Sequence, residues 1–174
     1  MPIIAKGSDF VPAPEGSHPA VCVDVVDLGV LVTTFKGVTK QKPMVKYVFQ
    51  IGKSMENGKP FVVSRRFTKS LHKKAALRAI IESWLGRALI DTEIRGGFDL
   101  ESLIGSACLL NVVHAARDGA TFANVSSIMR LPRGMKALRV RDYVRVKDRQ
   151  EQNDLFNAAE EAPAEMDEDD EPEN

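Results

Sequence analysis

Only two of the 174 residues are cysteine, Cys22 and Cys108. They form no CxxC pair and fall in no zinc-ligand spacing, so neither a disulfide framework nor a zinc site is signalled, and both read as small buried hydrophobes. Histidine is almost as scarce: His18, His72 and His114 sit in three separate segments, without an acid or nucleophile partner in a recognisable motif. GxxxxGK[ST], HExxH and GxSxG are missing too, so the chain is expected to be no enzyme, with no cofactor and no metal. No apolar run approaches membrane-spanning length, and the start lacks a cationic leader followed by a long apolar stretch. A soluble, cytoplasmic protein without a membrane partner is the expectation. The most telling absence is of Lys and Arg after Arg149. All 24 cations lie at or before that residue with 13 of the 24 acids, a net +11, and residues 150–174 hold the other eleven acids, a net −11. A formal charge of zero therefore conceals a basic body suited to a polyanion and an acidic tail.

What is present reads as one domain with a proper core, because 174 residues do not comfortably make two. Residues 1–17 carry Pro2, Pro12, Pro14, Gly7 and Gly16 and read as an irregular lead-in. A first strand is expected from about His18 to Leu28, with Val21, Val23 and Val25 on one face and Cys22 and Asp24 on the other. Residues 29–42, rich in Thr, Lys and Gly with Phe35 in their middle, read as a flexible polar binding loop. Two strands near Pro43–Gly52 and Lys59–Lys69 flank Glu56-Asn57-Gly58, and Asn-Gly is the strongest short hairpin signal because both residues tolerate positive φ. Ser70 is placed to cap a helix from Leu71 to about Leu85, which carries an apolar stripe that includes Trp84 as a core plug and stops at Gly86. Residues 87–98 read as a connection, and Asp99 heads a short helical turn over Leu100–Ile104. Strands at Ser106–Ala115 and Ala120–Leu131 join through Arg117-Asp118-Gly119.

The order is strand, strand, strand, helix, strand, strand. It predicts a mainly β fold, a five-stranded OB-fold Greek-key barrel with one helix between strands 3 and 4. The barrel is assigned residues 18–131, a basic and partly packed extension residues 132–149, and a disordered acidic tail residues 150–174, which are too polar to bury.

A surface that holds single-stranded nucleic acid without reading sequence needs cations for phosphates and exposed rings for bases. Those residue types gather as Lys46, Arg65, Arg66, Phe67 and Lys69 on the hairpin, Phe35, Lys36, Lys40 and Lys42 on the loop, and Phe122 with Asn124 on the last strand. If Ala123 and Val125 point inward, Phe122, Asn124 and Ser126 point outward, whereas Phe49 and Phe61 belong inside. Register governs the hairpin set, since a one-residue slip buries Phe67 and exposes Arg66. Asp24 with Asp27, or Asp99 with Glu101, are weak magnesium candidates, and Asp99 is better explained as a helix cap. The tail can compete for the cationic groove at an effective concentration in the millimolar range.

The segments SRRFTKSLHKKAALRAIIESWLGRAL, FDLESLIGSACLLNVVH and DGATFANVSSIMRLPRGM resemble the phage and prophage single-stranded DNA-binding proteins that join an OB-fold to an acidic C-terminal tail. The resemblance covers roughly residues 15–136. It implies a non-enzymatic protein that coats single-stranded DNA in phage replication, recombination or repair, and whose tail recruits phage or host replication and recombination proteins. The last residues, Asp167, Glu168, Asp169, Asp170 and Glu171, followed by Pro172-Glu173-Asn174, lack the terminal aromatic residue of many such tails, and Leu155-Phe156 is a substitute contact. A homo-oligomer is compatible with this pattern. The alternatives from other classes are an OB-like interaction or recombinase accessory factor without strong DNA binding of its own, and a metal-dependent nuclease.

Overall fold

A computed structural model describes residues 11–151, and five antiparallel strands dominate it. They are β1 (Gly16–Phe35), β2 (Val38–Ser54), β3 (Pro60–Thr68), β4 (Ala107–Arg117) and β5 (Ala120–Met129), in one sheet of order β3-β2-β1-β4-β5. Helix α1 (Ala76–Leu85), the short α2 (Asp91–Gly96) and a 3-10 turn (Leu100–Leu103) lie between β3 and β4. The expected mainly β class and element order are both present.

Local chemistry sets the joints. Asn57 and Gly58 make the β2–β3 turn, where Gly58 takes φ 81° and the Asn57 side chain accepts from the Lys59 N–H at 3.0 Å. Asp118 and Gly119, at φ 51° and 77°, give the β4–β5 hairpin the two positive φ angles of a type I′ turn. Gly86 ends α1 in the left-handed region, its N–H donating to the Glu82 carbonyl. Asp99 caps the 3-10 turn by accepting from the Glu101 N–H.

Four expectations fail locally. Residues 29–42 are not a flexible loop: β1 runs 20 residues to Phe35, and Lys36 and Gly37, at φ 50° and 75°, turn the chain directly into β2. Ser70 does not cap α1; its hydroxyl accepts from the His72 N–H, and the helix begins at Ala76. Residues 87–98 contain α2, too short for a periodic signal, whose Glu93 carboxylate accepts from the Ile90 N–H at 3.0 Å. The Arg87 guanidinium beside that carboxylate holds its pKa down at about 2. Finally, β1 does not keep Val21, Val23 and Val25 on one face. The register skips Val23 between Cys22↔Phe49 and Asp24↔Val48, a bulge that exchanges the faces, so Val25 joins Cys22 on the core side.

The main core gathers Tyr47, Phe49, Phe61, Phe67, Leu77, Ile81, Trp84, Leu110 and Ile128. Tyr47 meets Phe67 and Trp84 edge-on at 6.3 and 5.7 Å between ring centroids. The polar atoms of these rings are satisfied: Tyr47 Oη donates to the Leu100 carbonyl and Trp84 Nε1 to the Ala107 carbonyl, both at 3.0 Å. Burial pushes the Tyr47 phenol well above its ordinary range and does the same to the Cys108 thiol. The lead-in is anchored as well, with Ala13 buried and its carbonyl 2.6 Å from His114 Nε2, while His18 Nε2 lies 2.7 Å from the Pro14 carbonyl.

A second cluster lies on the other side of the sheet. There Val21, Val23 and Val48 pack with Leu138 and Tyr143 from the segment after β5. The Gln50 amide donates to the Arg141 carbonyl and accepts from the Arg141 N–H at 2.9 Å, and Tyr143 Oη donates to Asp24 Oδ2 at 3.1 Å. Removing a donor from a buried carboxylate costs about 1–3 kcal/mol. Tyr143→Phe is therefore expected to lower the unfolding free energy measured in urea by that amount, and an unchanged unfolding free energy would contradict this anchoring. The compact unit ends at Tyr143; beyond it, residues 146–151 are helical.

Candidate nucleic-acid interface

The sheet projects a two-stranded ribbon. The ladder of β1 with β4 ends at Val21 and that of β2 with β3 at Met44, beyond which the Pro43 carbonyl still accepts from the Lys69 N–H at 2.7 Å, so the ladder over residues 30–42 is that of β1 with β2 alone. Alternation along β2 places Lys40, Lys42 and Lys46 on one face. Register adds Arg66 opposite Lys46 and Phe35 opposite Val38 at the tip, and Phe35 is 75% exposed. The six residue steps from Lys40 to Lys46 span about 20 Å of strand. At the tip, Thr33, Phe35, Lys36, Val38, Lys40 and Lys42 line a shallow depression of about 360 Å³, with the Lys36 ammonium 5.5 Å from the Phe35 ring centroid.

This face carries little opposing charge. Among the described residues of β1, β2 and β3, the one carboxylate on it is Asp24, which is 1% exposed and lies under Tyr143. Asp27 faces the other way and pairs with Lys69 at 2.9 Å; that hydrogen bond, and one from the Gly29 N–H, hold its carboxyl below the usual range. Asp24 and Asp27 thus lie on opposite faces of β1 and do not converge as a magnesium pair. No cluster of three or more metal-ligating side chains occurs among the described residues.

The sequence candidates fall into three places. Phe35, Lys36, Lys40, Lys42, Lys46 and Arg66 share the ribbon face or its tip. Arg65, Phe67 and Lys69 face the opposite side, and for Phe67 the expectation of a stacking ring is overturned: it is 2% exposed, opposite Val45 in the core. Arg65 is committed to structure, its guanidinium 4.9 Å from the Phe67 ring centroid and donating to the Ser126 carbonyl at 3.2 Å, which draws the edge strands β3 and β5 together. Lys69 is held by Asp27.

Phe122 and Asn124 occupy the third place. They point outward as alternation predicts, with Ala123 and Val125 turned inward, and Phe122 is 44% exposed. With Val62, Ser64 and Arg117 they line a separate depression of about 700 Å³ between the β3 and β5 edges.

One cationic patch belongs to the basic, partly packed extension expected over residues 132–149, which the sequence did not place beside the site. Lys136, Arg139 and Arg141 line a depression of about 480 Å³ with Gln50, Gly52 and Pro60. Gln50 and Val48 lie on the face of β2 that carries Lys46, so the patch continues the cation row past the sheet. The signal was present as Leu138 and Tyr143, two apolar anchors within a basic run. The tail candidates Leu155, Phe156, Asp167, Glu168, Asp169, Asp170 and Glu171 lie outside the described residues. No helix among the described residues is long and apolar enough to cross a membrane. Comparison with protein-family models and with curated proteins finds no match to this chain in either.

Proposed function

We propose that this protein binds single-stranded DNA without sequence preference, through the cationic face of β2, and serves phage DNA replication, recombination or repair without catalysing a reaction. The observation that carries this reading is the row Lys40, Lys42 and Lys46, joined by Arg66 and ending at exposed Phe35, on a strand face whose one carboxylate is covered. Phosphates need the cations and bases need the ring. The strand order β3-β2-β1-β4-β5, with α1 between β3 and β4 and an Arg65 contact between the edge strands, supports an OB-fold barrel. The eleven acids of residues 150–174 compete for the same face and, once displaced, recruit replication proteins.

Buried Trp84 is a poor reporter of such binding, so the test is anisotropy of a labelled oligo-dT titrated with the full chain at low and high salt. Six phosphate contacts, by Lys36, Lys40, Lys42, Lys46, Arg66 and Arg141, predict a slope of log affinity on log salt of about −4. No anisotropy change at low salt would sink the proposal. Deleting residues 150–174 is expected to tighten binding, and an unchanged or weaker affinity would remove the competing tail from it. Capture of a replication or recombination protein by a chain that leaves oligo-dT unbound would favour an interaction factor instead. The exposed Val62 and Phe122 beside the β3–β5 depression suit that outcome.

A further inference from the structure

The ribbon has two free edges, and they are unlike. Because Phe35 and Val38 flank a two-residue turn, they form a hydrogen-bonded pair. Alternation then makes Thr33/Lys40 and Leu31/Lys42 hydrogen-bonded pairs, which leaves Val30, Val32 and Thr34 with N–H and C=O groups directed away from β2. Pro43 fits this phase, since it stands opposite Val30 where no N–H is needed. The β2 edge is guarded by that proline and by Lys40 and Lys42, devices that blunt strand edges against pairing. Residues 30–34, Val-Leu-Val-Thr-Thr, have no charge, proline or bulge, and no strand other than β2 pairs with them among the described residues. Val30 and Val32 are 61% and 63% exposed.

We propose that the β1 edge at residues 30–34 is the pairing surface for a second copy of this chain. A two-fold axis at Val32 sets Val32 against its own copy and Val30 against Thr34, so every outward N–H meets a C=O in an antiparallel ladder. The side chains brought side by side are Val30, Val32 and Thr34, with Thr39 and Gln41 behind them on the same face. Two bodies that each carry +11 before Gln150 thus meet along an uncharged strip, which suits a second copy better than an acidic or basic partner. The two-fold stands perpendicular to the four-stranded sheet so formed. It therefore sets the Lys40 and Lys42 faces of both copies on one side, and this last consequence rests on the DNA-binding reading while the pairing does not.

The test is sedimentation equilibrium of the full chain without nucleic acid, at high salt to screen association between tail and body. The expected mass is twice 19.2 kDa at micromolar concentration. Val32→Lys places two ammonium groups on the two-fold and is expected to return the mass to 19.2 kDa with the circular dichroism spectrum of the parent, because the position is solvent-facing. Val32→Cys is expected to give a disulfide-linked dimer on mild oxidation, since native Cys22 and Cys108 are buried. A parent chain that stays at 19.2 kDa, or a dimer that survives Val32→Lys, overturns the proposal. Neither result bears on oligo-dT binding, which is measured separately.

Discussion

Replacing Lys40, Lys42, Lys46 and Arg66 together by glutamine is expected to flatten the salt dependence of oligo-dT binding from a slope of about −4 to about −1. Each phosphate contact on a single strand releases about 0.7 of a counterion, so four lost contacts remove close to three units. The substitution should leave folding intact, because none of the four side chains is buried and none forms an ion pair among those found in the described residues. The same number of changes at Lys53, Lys59, Lys73 and Lys74, exposed cations outside the row, is the control. It lowers net charge equally, and if it flattened the slope as much, general charge rather than the β2 face would govern binding.

The second large effect separates two phenylalanines that look alike in sequence. Phe67→Ala is expected to lower the unfolding free energy by about 3–5 kcal/mol, as truncation of a buried ring does. Phe67 contacts Tyr47 edge-on and carries the Arg65 guanidinium, so the loss also loosens the Arg65 link to β5. Phe35→Ala removes a ring exposed at the ribbon tip and should leave stability unchanged. It should instead weaken oligo-dT binding by about 1–3 kcal/mol, the worth of one stacked base. Urea unfolding and anisotropy on both variants check the pair. Equal losses of stability would mean that the ring at the tip is packed, and unchanged binding for Phe35→Ala would remove it as a stacking platform.

The contrast shows where the sequence was legible. Turns written by one or two residues read correctly: Asn57-Gly58, Asp118-Gly119, the stop at Gly86 and the cap at Asp99 each depend on a local φ or a single side-chain oxygen. The outward turn of Phe122 followed from alternation because β5 carries it undisturbed beside Ala123 and Val125. The ribbon was hidden by its turn, since a lysine at φ 50° before Gly37 is a rarer hairpin signal than Asn-Gly and the Thr-Lys composition suggested solvent rather than strand. The bulge at Val23 has no compositional mark, yet it exchanges the faces of β1 and decides that Asp24 meets Tyr143. Phe67 turned on register, a long-range property of the β2–β3 pairing with Val45, which a single strand does not encode. Lys36, Lys40, Lys42, Lys46 and Arg66 could thus be picked out in the sequence, while their arrangement on one face or its tip waited on the ladder that aligns Lys46 with Arg66.

The most direct test is amide hydrogen exchange of the full chain with and without saturating oligo-dT. Added protection is expected at residues 33–46 and around Arg66, with no change along helix α1. Protection confined to residues 117–126 of the β4–β5 hairpin, or none anywhere at saturation, would contradict binding at the β2 face.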